Sequence, residues 1–225
     1  MGLLFSKYSS KLKWLNVVYL IMCVSCLVYF GSKIVLAGDP SGESTYSDSI
    51  EGLKYSINFT WTLVAAFLVF SMQGGFVLLG GFLQSKNMLG YMGHCVVDGF
   101  VGALLFWMCG FAVMFGGSAA APGLESGNWF MGWSGFFLAG GSYDVQTIML
   151  WLFQMVFCTK AVTIIAGAVA ERMRFAPYLI YSFFVCGVIY PIYGHWMWGG
   201  GWLSNLPFGA GCVDFAGSAV VHTVG

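Results

Sequence analysis

The chain has 225 residues, of which 59% are apolar and 8% charged, against about 25% charged in an ordinary soluble domain. A water-soluble fold of this size would lack polar residues to cover its surface, and nine basic against nine acidic side chains give a net charge of zero, which excludes an electrostatic grip on nucleic acid. The 32 glycines, about twice the usual share, suit helices packed backbone to backbone through small residues. The composition reads as an all-α polytopic membrane protein.

Residues 14–37 form an apolar run preceded by Lys7, Lys11 and Lys13. That arrangement fits either a signal peptide over 1–37, with Val35-Leu-Ala37 as a cleavage site, or a retained N-terminal membrane helix. Residues 38–58 carry Asp39, Glu43, Asp48 and Glu51 and read as an exported polar loop, ending at a glycosylation-type sequon, Asn58-Phe-Thr60, that abuts the next apolar run. Spans are then expected at 59–83, 88–115, 145–170 and 177–197, with a fifth beginning at Asp214, since each crossing needs about 20 apolar residues. Lys86, Arg172 and Arg174 fall between spans on the same side as the N-terminal lysines, which the positive-inside rule assigns to the cytoplasm. The connections 116–143 and 198–213, rich in glycine and aromatics, are then external.

Seven cysteines, an odd number scattered through apolar stretches, do not suggest a disulfide framework, and Cys23-Val-Ser-Cys26 has no second pair to make a metal or redox site. His94, His195 and His222 show no metal-ligand spacing. The common nucleotide-binding, metalloprotease and hydrolase signatures are absent. No enzyme activity, metal or cofactor is expected.

Four motifs carry a resemblance. Phe153-Gln-Met-Val-Phe157, Gly167-Ala-Val-Ala-Glu171-Arg172, Gly194-His-Trp-Met-Trp198-Gly-Gly-Gly201 and Asp214-Phe-Ala-Gly-Ser-Ala-Val-Val-His222 follow one another in order, with Gln73-Gly-Gly-Phe76 and Ser85-Lys-Asn87 upstream. The run from 59 to 225 resembles the N-terminal half of the ammonium transporter (Amt/Mep/Rh) family, and the tryptophan at Trp198 resembles its Amt branch. The resemblance implies the first of two inverted repeats, about five spanning helices of about eleven, in a homotrimer of the cell membrane with a pore inside each protomer. It also implies ammonium or ammonia as substrate, with methylammonium as analogue. The chain is expected to be a fragment whose second repeat, and any C-terminal signalling module, lie beyond it.

Aromatic faces and hydrogen-bond acceptors can gather ammonium, a cation of about the size of potassium. Phe153 and Trp198 at external helix ends are the expected recruitment residues, where an arbitrary aromatic would be an interfacial anchor. Phe157, four residues along the same helical face, is expected to gate the route below them. His222 follows Asp214 by eight residues, about 12 Å deeper if the segment is helical, and by resemblance lines the pore and relays a proton. An imidazole suits that task because its unperturbed pKa, about 6.5, lets it give and take a proton. Asp214 is expected to support this helix as its N-cap. His195 and Glu171 are expected to be structural.

Lys160 departs from the family pattern. It lies twelve residues before Arg172, and Asp98 twelve after Lys86, so both sit about 18 Å from the cytoplasmic boundary. A lone charge there costs about 2.5–3.5 kcal/mol, so a Lys160–Asp98 ion pair is the economical arrangement. On a helical wheel Lys160 nevertheless shares the pore side with Phe153 and Phe157, about 4.5 Å below the gate. Either it leans to Asp98 and the pore stays open to transport, or it plugs the pore and the protein is a non-conducting ammonium sensor.

Overall fold

The computed structural model describes residues 38–46, 49–121 and 123–225. The expected signal peptide or N-terminal helix, with Cys23 and Cys26, lies outside the described residues. Among those residues four helices are long and apolar enough to cross a membrane: α1 Ile50–Phe82, α2 Ser85–Phe115, α3 Val145–Val169 and α4 Phe175–Met197. The chain is an all-α, multi-pass membrane protein.

Three of the four helices begin where a side chain satisfies unpaired N–H groups at their start, α4 having no such cap. Ser49 accepts from the Gly52 N–H at 3.0 Å and starts α1 nine residues ahead of Phe59, where the apolar run begins. The polar turns from Glu51 to Asn58 are therefore helix rather than loop. Hydropathy marks the bilayer-crossing part of a helix and is blind to polar turns outside it. Asp144 caps α3, accepting from Gln146 N at 2.9 Å and Thr147 N at 3.4 Å, and its other oxygen holds the Asp39 N–H at 3.0 Å. Asp39 itself is held below the usual carboxylate range by the Ser44 hydroxyl and the Thr45 side chain and backbone, so the stretch from Gly38 to Tyr46 is pinned against the start of α3.

The turn before α2 is capped from a distance. Glu171, in the turn between α3 and α4, accepts from the Gln84 N–H at 2.7 Å and from Asn87 Nδ2 at 3.2 Å. The Gln84 N–H and the Asn87 amide keep its carboxylate protonation range low. This bond brings Lys86 to the same end of the bundle as Arg172 and Arg174, as the charge pattern requires.

Small residues set the helix spacing. A Cβ on Gly102 of α2 would lie 2.6 Å from Thr159 Cγ2 of α3, so the two backbones meet there. Both α2 and α4 widen for one turn, at Phe106–Gly110 and Val185–Ile189. The second widening precedes Pro191, whose ring would otherwise clash with the carbonyl four residues before it. Phe106, Phe111, Met114 and Phe115 of α2, Val156 and Val162 of α3 and Tyr190 of α4 are buried in the common core. By contrast α1 leaves Trp61, Phe67 and Phe82 exposed, a face suited to lipid.

The expected fifth span is shorter at its start than its motif suggests. Asp214 stands outside the helix, which begins at Ser218 as a widened turn through Thr223. His222 is therefore about 6 Å, not 12 Å, along the helix from its first residue, and its side chain is exposed rather than buried.

Candidate functional site

Phe153, Phe157 and Lys160 occupy successive turns of α3, and the chain after α4 returns across them. The Phe153 and Phe157 rings are 5.0 Å apart between centroids at 72°, and Phe157 and Trp198 are 6.1 Å apart at 74°. These edge-to-face contacts fall within the favoured range for aromatic pairs. Phe157 is thus the common neighbour of both expected recruitment residues. Phe153 sits eight residues into α3, about 12 Å from its start, so the aromatic cluster is recessed from the helix end.

Trp198 is held by its polar edge. Its Nε1–H donates to the Asp214 carbonyl at 2.7 Å. The Asp214 carboxylate in turn accepts four backbone N–H groups, from Gly217 and Ser218 on one oxygen and from Ala219 and Val220 on the other, at 2.8–2.9 Å. Partial burial pushes this carboxyl up, but the four donors outweigh it and the net shift is downward. These four bonds make Asp214 the cap of the turn. Gly217 makes the close approach: its φ is +94°, and a Cβ would lie 2.8 Å from Val221 Cγ2 and 3.4 Å from Trp198 Cη2.

Beneath Phe157 lies a cavity of about 120 Å³ whose walls include Met72, Phe76, Phe157, Lys160, Val221 and His222. Phe157, His222 and Lys160 therefore share one space. His222 reaches it from the last helical turn.

The expected ion pair between Lys160 and Asp98 is not formed. Lys160 Nζ donates to Gln73 Oε1 of α1 at 2.5 Å and stands 5.7 Å from the centre of the Phe70 ring. Asp98 accepts from the Tyr178 and Ser182 hydroxyls of α4, and none of its oxygens lies within the 4.0 Å of Nζ that defines an ion pair. Each charge has found a nearer neutral partner at its own depth. Gln73 was missed because charge alone guided the search: it lies thirteen residues before Lys86, at about the same depth as Asp98, and is an amide in an otherwise apolar run.

Two further histidines are fixed by packing. His195 is 2% exposed, with Nδ1 2.8 Å from the Met114 carbonyl and Nε2 2.7 Å from the Asn128 carbonyl, which ties the end of α4 to α2 and to the 116–143 connection. His94 is stacked on Tyr178 at 4.0 Å and on Phe175 at 5.6 Å. The described cysteines Cys95, Cys109, Cys158, Cys186 and Cys212 are free, and no group of three or more metal-ligating side chains occurs among the described residues.

Residues 60–225 match the model of the Ammonium Transporter Family. The chain is 45% identical to the ammonium transporter Amt2 of Archaeoglobus fulgidus over 211 residues, covering 91% of this chain and 43% of that protein. It is 41% identical over 196 residues to ammonium transporter 1 member 3 of Solanum lycopersicum, covering 83% of this chain and 38% of the relative. Among solved structures it is similar to a sensor Amt protein, with 36% identity and a TM-score of 0.65 over 77% of this chain and 42% of the other. Mep2 of Candida albicans follows with 29% identity and a TM-score of 0.60 over 72% and 35% of the two chains. The chain thus spans less than half the length of the relatives it matches. With the family model covering 60–225 and these identities beside it, the chain belongs to the ammonium transporter family.

Proposed function

We propose that this protein moves ammonium across a membrane as part of a homotrimer, gathering the cation at Phe153 and Trp198 and admitting it past Phe157. The proton is removed before the cavity is crossed, and His222 relays it. The observation that carries this reading is the contact of the Phe157 ring with both Phe153 and Trp198 at the roof of the cavity that holds His222. Each aromatic face offers a cation about 0.5–2 kcal/mol, and the indole is held in place through Asp214. The relatives are named as ammonium transporters, which supports the substrate class.

A second reading, an ammonium sensor that binds without conducting, is favoured by Lys160 in the same cavity and by the similarity to a sensor Amt protein. Uptake of labelled methylammonium by cells expressing the protein from its own gene separates the two. Saturable uptake competed by ammonium and not by potassium supports transport. Saturable binding with no accumulation supports the sensor, and absence of both contradicts the ammonium reading altogether.

A further inference from the structure

Lys160 is 2% exposed, yet its head group has no carboxylate within ion-pair distance among the described residues. What it has is one amide oxygen, Gln73 Oε1, at 2.5 Å and one aromatic face, that of Phe70, at 5.7 Å. An acceptor oxygen and a ring face are both partners that a lysine head group can use.

The amide cannot turn away from the lysine. Gln73 Nε2 donates to the Cys95 carbonyl at 2.5 Å and to Thr163 Oγ1 at 3.2 Å, while Thr163 spends its own proton on the Thr159 carbonyl at 2.8 Å. With its nitrogen committed on one side, the amide presents its oxygen to Lys160. The position of Nζ is therefore set by α1, α2 and α3 together. Lys160 itself is one turn beyond Phe157, among the residues that wall a cavity of about 120 Å³ shared with His222.

A second cation entering so small a space meets a fixed like charge with little water between them, where Coulomb repulsion is much stronger than in bulk. A neutral molecule meets no such barrier. Held by an acceptor oxygen and a ring face, the lysine ammonium already fills the kind of place a free ammonium ion would take.

We propose that Lys160 is the specificity-determining residue of this cavity: its charge, fixed by Gln73, turns cations back below Phe157 and leaves passage to neutral species. This deepens the reading of the site as an ammonium route and rests on it. Asp98, with its carboxylate committed to Tyr178 and Ser182, supplies no direct contact to cancel that charge.

The test compares wild type with Lys160→Arg, Lys160→Gln and Lys160→Met in planar bilayers, recording currents under separate ammonium and potassium gradients. Methylammonium binding is measured on the same preparations. Wild type and Lys160→Arg are expected to pass no potassium current above that of protein-free bilayers, any ammonium current in them being that of the relayed proton, and Lys160→Gln at least ten times more potassium current. The glutamine variant keeps a donor for Gln73, so folding does not depend on the charge, and Lys160→Met checks the result with an apolar chain. Equal potassium currents in wild type and the neutral variants, whether high or absent, overturn the assignment when binding is retained. Loss of methylammonium binding in wild type overturns the ammonium reading instead, and the potassium currents still read the lysine.

Discussion

The indole N–H of Trp198 donates to the backbone carbonyl of Asp214 at 2.7 Å, while the carboxylate of the same Asp214 gathers four backbone N–H groups of the next helical turn. One residue thereby joins the aromatic cluster of Phe153, Phe157 and Trp198 to the turn that bears His222. Replacing Asp214 with asparagine puts an amide NH2 donor against two of those N–H groups, and a lost cap costs about 0.5–2 kcal/mol.

The pH dependence of that cost has a definite sign. The folded carboxyl lies below its ordinary value because the four donors outweigh the opposing effect of burial. Its contribution is complete above the unfolded pKa, about 3.9, and is lost as pH falls through the folded value. Thermal unfolding in detergent should show wild type more stable than Asp214→Asn at pH 7, with a gap that holds down to about pH 4 and closes below it. A gap that closes between pH 6 and 8 would place another group in control.

Gly217 tests the packing beneath the indole. Its φ of +94° and the 2.8 Å approach of a Cβ to Val221 together disfavour any side chain. Gly217→Ala should destabilise the protein by more than about 1 kcal/mol and weaken ammonium binding by displacing Trp198. Unchanged melting and unchanged binding would show that the turn adapts freely.

Gln73 tests the anchoring of the lysine. Gln73→Leu removes the acceptor for Nζ and the donor to the Cys95 carbonyl, and a buried group left unpaired costs about 1–3 kcal/mol. Denaturation in nanodiscs should register that loss, and Lys160→Met in the same background should recover part of it. Additive effects of the two substitutions would mean that they do not interact.

His222 lines the cavity but is exposed in the described chain. If it relays protons, His222→Ala should change proton-coupled charge movement during methylammonium uptake while leaving assembly on a sizing column unaltered. Identical charge movement in the variant would reduce it to a wall residue.

The four spans and their shared charged end are legible in the sequence, because an apolar run of about 20 residues and its flanking lysines and arginines act without reference to packing. What escapes is whatever packing decides. The polar turns after Ser49 join α1 through a cap that hydropathy does not register. The partner of Lys160 depends on which neighbour reaches it, and depth arithmetic that matched Asp98 would have matched Gln73 equally well. The 116–143 connection turns on left-handed glycines such as Gly117 and Gly135, which leave no periodic trace.

Ammonium binding to wild type and Trp198→Leu, measured in nanodiscs with potassium as the control cation, bears most directly on the aromatic mouth. The arrangement of Phe153, Phe157 and Trp198 predicts that wild type binds ammonium in preference to potassium and that the variant binds it about three-fold to thirty-fold more weakly. Equal affinity in the two proteins, with the variant folded and present in equal amount, would contradict recruitment at this site.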